Sequence, residues 1–189
     1  MKHLIIYCHP NPNSLNNHLK NVVVTQLQEN SLEVVVRDLY AINFNPVISY
    51  DDMAGQRKGV VADDVKREQG FILWADCISF IYPIWWTGLP AVMKGYIDRV
   101  FSYGFAYSYD AGIQKGLLEG KKAIILNTHG KSQTEYEEIG MLKALLLTSD
   151  KGIYTYSGLE VLEHFFFDKA DRPDPKHLEN WINQIKKIY

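Results

Sequence analysis

Short, unbroken apolar runs alternate with helix-period segments from one end of this chain to the other, and that alternation limits the fold more than any other feature. Leu4-Ile5-Ile6-Tyr7-Cys8, Val34-Val35-Val36, Cys77-Ile78-Ser79-Phe80-Ile81 and Ala123-Ile124-Ile125-Leu126 are continuous runs with little polar alternation. Runs of this kind suit strands buried on both faces, as in a central parallel sheet. A fifth strand is predicted over 158–167. Helical spacing appears over 18–29, from a cap at Asp63 or Asp64 to Trp74, from Ala91 behind Pro90 to Phe101, over 135–147 and over 175–188. The stretches 41–62 and 102–120 carry no such pattern and are read as loops.

No linker, repeat or low-complexity block interrupts the alternation, so residues 1–189 are read as a single α/β domain. The expected architecture is a doubly wound five-stranded parallel sheet with helices on both faces. Five strands suit the flavodoxin-like order better than a six-stranded dinucleotide fold. In that order the loops after the first, third and fourth strands crowd one edge of the sheet, and those loops hold the unusual residues.

The loop after the first strand, His9 to Asn16, has neither GxGxxG nor a P-loop lysine. It places Ser14 and Asn16 at a helix start, where free N–H groups and the helix dipole can hold a phosphate. A simple N-cap is the competing reading. The loop after the third strand is Tyr82-Pro83-Ile84-Trp85-Trp86-Thr87-Gly88-Leu89-Pro90. Two indoles on a tight turn make a platform for a flat ligand, unless both fold back into the core. In the loop after the fourth strand, Asn127 to Gln133, Gly130 permits close backbone approach, and Tyr136 just beyond can donate its hydroxyl. A phosphate loop, an aromatic wall and a polar ring edge together describe a flavin mononucleotide moiety. A nucleoside triphosphate would need lysine and magnesium ligands, which are missing at these places; no metal site is expected.

A net charge of -2 with 22% charged residues gives no footprint for nucleic acid and no polybasic membrane patch. Cys8 and Cys77 sit in apolar runs with no CxxC pair or disulfide framework, which fits a reducing compartment. The first apolar run is too short for a signal peptide or a membrane span, so the chain is read as cytoplasmic.

Three longer motifs carry a family resemblance. Pro83 to Phe101 follows the pattern P-x-x-W-x-x-P-A-x-x-K-G-[WY]-x-[DE]-R-V-F, Gly104 to Tyr109 follows G-x-A-Y-x-Y, and Asp38 to Pro46 follows D-L-Y-x-x-x-F-[ND]-P. In these the chain resembles the flavodoxin-like NAD(P)H:quinone oxidoreductases, or DT-diaphorases, of the short bacterial type. The resemblance implies a two-electron ping-pong hydride transfer from NAD(P)H through a flavin to quinones, and to nitroaromatics or azo compounds. It places His9, Ser14, Leu15 and Asn16 at the flavin phosphate region. Pro83, Ile84, Trp85, Trp86 and Thr87 would line the ring, with Thr128, His129, Gly130 and Lys131 along its pyrimidine side. Tyr136 matches the family tyrosine that stabilises charge on the reduced ring. Tyr107 and Tyr109, with Trp86, would form the substrate pocket, the tyrosines reaching it from the partner of a homodimer.

The chain departs from the family at Thr128-His129-Gly130-Lys131, where T-T-G-G is usual, and at Leu142, where mammalian members carry a histidine. Lys131 or His129 is expected to take over that histidine's role. FMN is favoured over FAD because the segment between Pro46 and Asp76 is shorter than in FAD-binding members. The resemblance also admits a regulatory flavoprotein attached to a potassium-efflux-type transporter.

Overall fold

The computed structural model describes all 189 residues. Its main sheet has five parallel strands in the order β2-β1-β3-β6-β7: β1 (Lys2–Tyr7), β2 (Glu33–Asp38), β3 (Cys77–Pro83), β6 (Lys122–Thr128) and β7 (Glu160–Phe167). That is the flavodoxin-like order, with the strand sequence reversing between β1 and β3. Every residue of β3 is buried, as its unbroken apolar run requires.

Successive residues of the central strands point to opposite faces, which divides the interior into two cores. Leu4, Ile6, Ile78, Phe80 and Ile125 pack with Met93, Tyr96 and Val100 of α4 (Ala91–Val100) and Ile72 of α3 (Asp63–Trp74). Ile5, Tyr7, Ile81, Ile124 and Leu126 pack with Leu19, Val23 and Leu27 of α1 (Leu15–Glu29) and with Trp181 and Ile185 of α7 (Pro175–Ile188). Each fully buried aliphatic side chain contributes about 2 kcal/mol.

Four details correct the sequence reading. The loop over 41–62 contains a helix, α2 (Tyr50–Gln56), closed by a Ser49/Asp52 capping box; it buries no residue, so no apolar period reveals it. The loop over 102–120 contains a hairpin, β4 (Tyr107–Asp110) and β5 (Ile113–Gly116). Its two-residue turn takes Ala111 and Gly112 to φ 49° and 83°, the twist that suits such hairpins. The helix over 135–147 is interrupted: Gly140 at φ 73° separates α5 (Gln133–Glu138) from α6 (Met141–Leu146). A π-helical segment follows, Leu147–Tyr154. Finally, neither Asp63 nor Asp64 caps α3; the N-cap is Ala62, and Asp64 turns instead to Arg99.

Arg99 ties this side of the molecule together. It donates to Asp64 Oδ2 (2.5 Å), to Asp52 Oδ2 (3.1 Å) and to the Asn45 carbonyl (2.8 Å). Nearby, a Cβ on Gly95 would lie 2.1 Å from the Pro46 carbonyl oxygen, so α4 can approach this segment only with glycine there.

Candidate active site

A cavity of about 470 Å³ opens where β1, β3, β6 and β7 end. The first loop enters it with Ser14 as N-cap of α1, its Oγ accepting from the Asn17 N–H at 3.2 Å. The cap reading is therefore correct, and it leaves the Leu15 and Asn16 N–H groups without partners beneath the cavity. Asn16 is 2% exposed; its Nδ2 donates to Thr128 Oγ1 at 2.7 Å, while its Oδ1 has no partner. His9 accepts the Asn11 N–H on Nδ1 (3.0 Å) and meets Trp85 edge-on at 5.7 Å. Burial lowers its pKa, so the ring is neutral with its hydrogen on Nε2.

The aromatic turn is anchored by the Ile84 N–H on the Thr128 carbonyl (2.7 Å) and by reciprocal 3.1 Å bonds between Trp85 and Gly88. Between them Trp86 and Thr87 sit at φ 50° and 57°, a strained choice for residues with a Cβ, each costing about 1 kcal/mol. Neither indole enters the core: Trp85 is 41% exposed and Trp86 fully so. Pro83, Ile84 and Trp85 line the cavity; Trp86 and Thr87 do not, because the turn carries them past its rim.

Thr128, His129 and Gly130 form the far wall. The His129 ring, 2% exposed, stacks on Tyr136 at 4.5 Å and 6° between planes, and both of its nitrogens lack a well-formed hydrogen bond. Burial lowers its pKa against the opposing pull of Asp168 and a Lys131 backbone group, so this imidazole is neutral. Tyr136 packs with Ile84 and Leu145 behind that wall and is separated from the cavity by His129. Lys131 is not among the residues that line the cavity: its side chain is 66% exposed and pairs with Glu135 one helical turn on (3.3 Å).

Tyr107 and Tyr109 lie elsewhere. The Tyr109 hydroxyl meets that of Tyr156 at 2.8 Å, and Tyr107 lines a separate hollow with Phe101 and Tyr156. Four lining residues were not foreseen: Asn11, Asn13, Ala170 and Asp171. Asn11 Oδ1 accepts the Asn13 N–H and shapes the first loop. Ala170 and Asp171 follow β7, whose parallel pairing with β6 brings its end to the same edge; the Ala170 N–H donates to the His129 carbonyl (3.0 Å). The polar run Asp168-Lys169-Ala170-Asp171 directly after the last strand was the available signal.

The donor set fits a flavin phosphate. Unpaired N–H groups at a helix start suit the phosphate, an exposed indole suits a flat ring, and Gly130 on the far wall lets backbone come close to its polar edge. The chain belongs to the flavodoxin-like fold family, whose model matches residues 1–188. Within that family it is similar to an uncharacterized NAD(P)H oxidoreductase of Haemophilus influenzae, 40% identical and covering 93% of this chain and 88% of that one. It is also 31% identical to NAD(P)H dehydrogenase [quinone] 1 of Rattus norvegicus, over 98% of this chain and 77% of that one. The solved NAD(P)H:quinone oxidoreductase of Methanothermobacter marburgensis superposes with a TM-score of 0.87 at 26% identity, covering 99% of this chain and 96% of that one. The chain thus stands among oxidoreductases of the flavodoxin-like fold.

Proposed function

We propose that the chain is a flavin-dependent NAD(P)H:quinone oxidoreductase using FMN. The bound flavin would supply the redox chemistry, taking a hydride from NAD(P)H and then passing two electrons to a quinone that occupies the same place. The protein's part is placement and electrostatics. The observation that carries this reading is one cavity uniting the unpaired Leu15 and Asn16 N–H groups, the Trp85 face and the buried, partnerless His129 ring.

The α1 N-terminus would hold the phosphate without any lysine, and Asp171 on the rim disfavours the second phosphate of FAD. The His129 nitrogens are closed off in this structure; with the wall opened by the flavin, the neutral ring would offer one donor and one acceptor to a ring edge without bringing charge. Tyr107 and Tyr109 stand away from their own chain's cavity, which favours a homodimer in which a second copy supplies them. The relatives' oxidoreductase names support an enzyme over a transporter regulator. The test is steady-state oxidation of NADH and NADPH by FMN-loaded protein with menadione as acceptor. Parallel double-reciprocal lines are expected, and failure to reduce the quinone with either nicotinamide would refute the reading.

A further inference from the structure

Behind the cavity lies a buried polar cluster that neither the motifs nor the cavity lining accounts for. The His164 side chain, on β7, is 4% exposed and is held at both nitrogens: Nδ1 is 2.7 Å from Asp150 Oδ1, and Nε2 is 2.8 Å from Asn127 Oδ1. Asn127 cannot be turned over, because its Nδ2 donates to the Tyr82 carbonyl (3.1 Å), which can only accept. Its Oδ1 therefore faces His164, and Nε2 must carry a hydrogen. At Nδ1 one hydrogen is shared with Asp150 Oδ1, so both ring nitrogens are held. Ser149 Oγ lies 2.9 Å from the same carboxylate oxygen and 2.8 Å from the Leu145 carbonyl, and its one hydrogen serves only one of them at a time. The adjoining Tyr82 and Tyr154 phenols meet at 3.1 Å, and burial raises both pKa values, so they stay neutral.

The cluster reaches the cavity through ring contacts. His164 stacks on Phe166 at 4.1 Å, Phe166 meets the edge of His129 at 6.4 Å, and His129 stacks on Tyr136. It also joins three separate parts of the chain, with Asp150 on the π-helical segment, His164 on β7 and Asn127 on β6 beside Thr128. We propose that His164 is a positioning residue: clamped between Asp150 and Asn127, it sets the place of Phe166 and through it the orientation of His129. The effect on flavin chemistry rests on the proposed function; the clamp itself does not.

The test is NMR of ¹⁵N-histidine-labelled, flavin-free protein at neutral pH, with FMN titration of each variant alongside. His164 is expected to carry a hydrogen on Nε2, facing Asn127 Oδ1. In Asp150→Asn the new amide can donate to Nδ1, so the ring keeps both contacts and His129 should stay in place. In His164→Gln the His129 ring-proton shifts should move and FMN affinity should fall about tenfold, the scale of one charge-assisted bond. Val23→Ala, a cavity-forming change in the other core, should leave His129 unmoved and controls for general loosening. A His164 Nε2 without a hydrogen in the wild type, or His129 shifts that respond equally to Val23→Ala and His164→Gln, would overturn the proposal. Because the NMR readings need no cofactor, a protein that takes up no flavin would sink the functional reading and leave the clamp standing.

Discussion

At the scale of single residues, His129 and Lys131 divide the roles that the resemblance left joined. His129 occupies the wall with both nitrogens free, whereas Lys131 turns outward to Glu135. A buried polar group without a partner costs stability and is retained where something else uses it. His129→Phe keeps the stack on Tyr136 and gives up no hydrogen bond, so unfolding should change by no more than about 1 kcal/mol. Quinone turnover should nevertheless fall on the order of tenfold, since a ring-edge contact is lost. Lys131→Ala removes one exposed pair, and turnover should stay within about twofold of wild type. Steady-state kinetics and urea melts on the two variants check both statements. Reversed outcomes would return the cation to the ring.

At the scale of elements, Arg99 shows how a short helix with no buried face is kept on the molecule. Asp64 is held below the ordinary carboxylate range by its bond to Arg99; for Asp52 burial pulls upward, but Arg99 and Ser49 outweigh it. Both folded pKa values are thus depressed, so the stabilisation is complete above the unfolded carboxylate range and disappears as the pH falls through the folded values. Asp64, 40% exposed, gives the smaller share. Arg99→Met leaves the buried Asp52 unpaired and should cost about 3 kcal/mol at neutral pH, with a smaller deficit near pH 3, by urea denaturation. Gly95→Ala, which drives a methyl into the Pro46 carbonyl, should cost about 2 kcal/mol at any pH.

The same elements show where sequence legibility ends. The five strands and the long helices were readable because burial on one or both faces writes an apolar period into them. α2 buries nothing, and the hairpin of β4 and β5 is short and half exposed, so neither leaves such a period. The cavity loops were legible because the sheet gathers strand ends at one edge. Which side chains turn inward was not, since a left-handed pair of residues carries Trp86 out and a single ion pair carries Lys131 away.

For the whole molecule, the exposed Trp86 and the distance of the Tyr107–Tyr109 hairpin from its own cavity point to assembly with a second copy. Sedimentation of the flavin-loaded protein should give a dimer, and a fully active monomer would contradict a shared pocket. No helix is long and apolar enough to cross a membrane. Flavin binding in the cavity at the sheet edge is tested by titrating FMN into flavin-stripped wild type and Trp85→Ala while following flavin fluorescence. Saturable quenching at one FMN per chain is expected, with affinity lowered about tenfold once the indole is gone. Absence of binding, or equal affinity in both proteins, would contradict it.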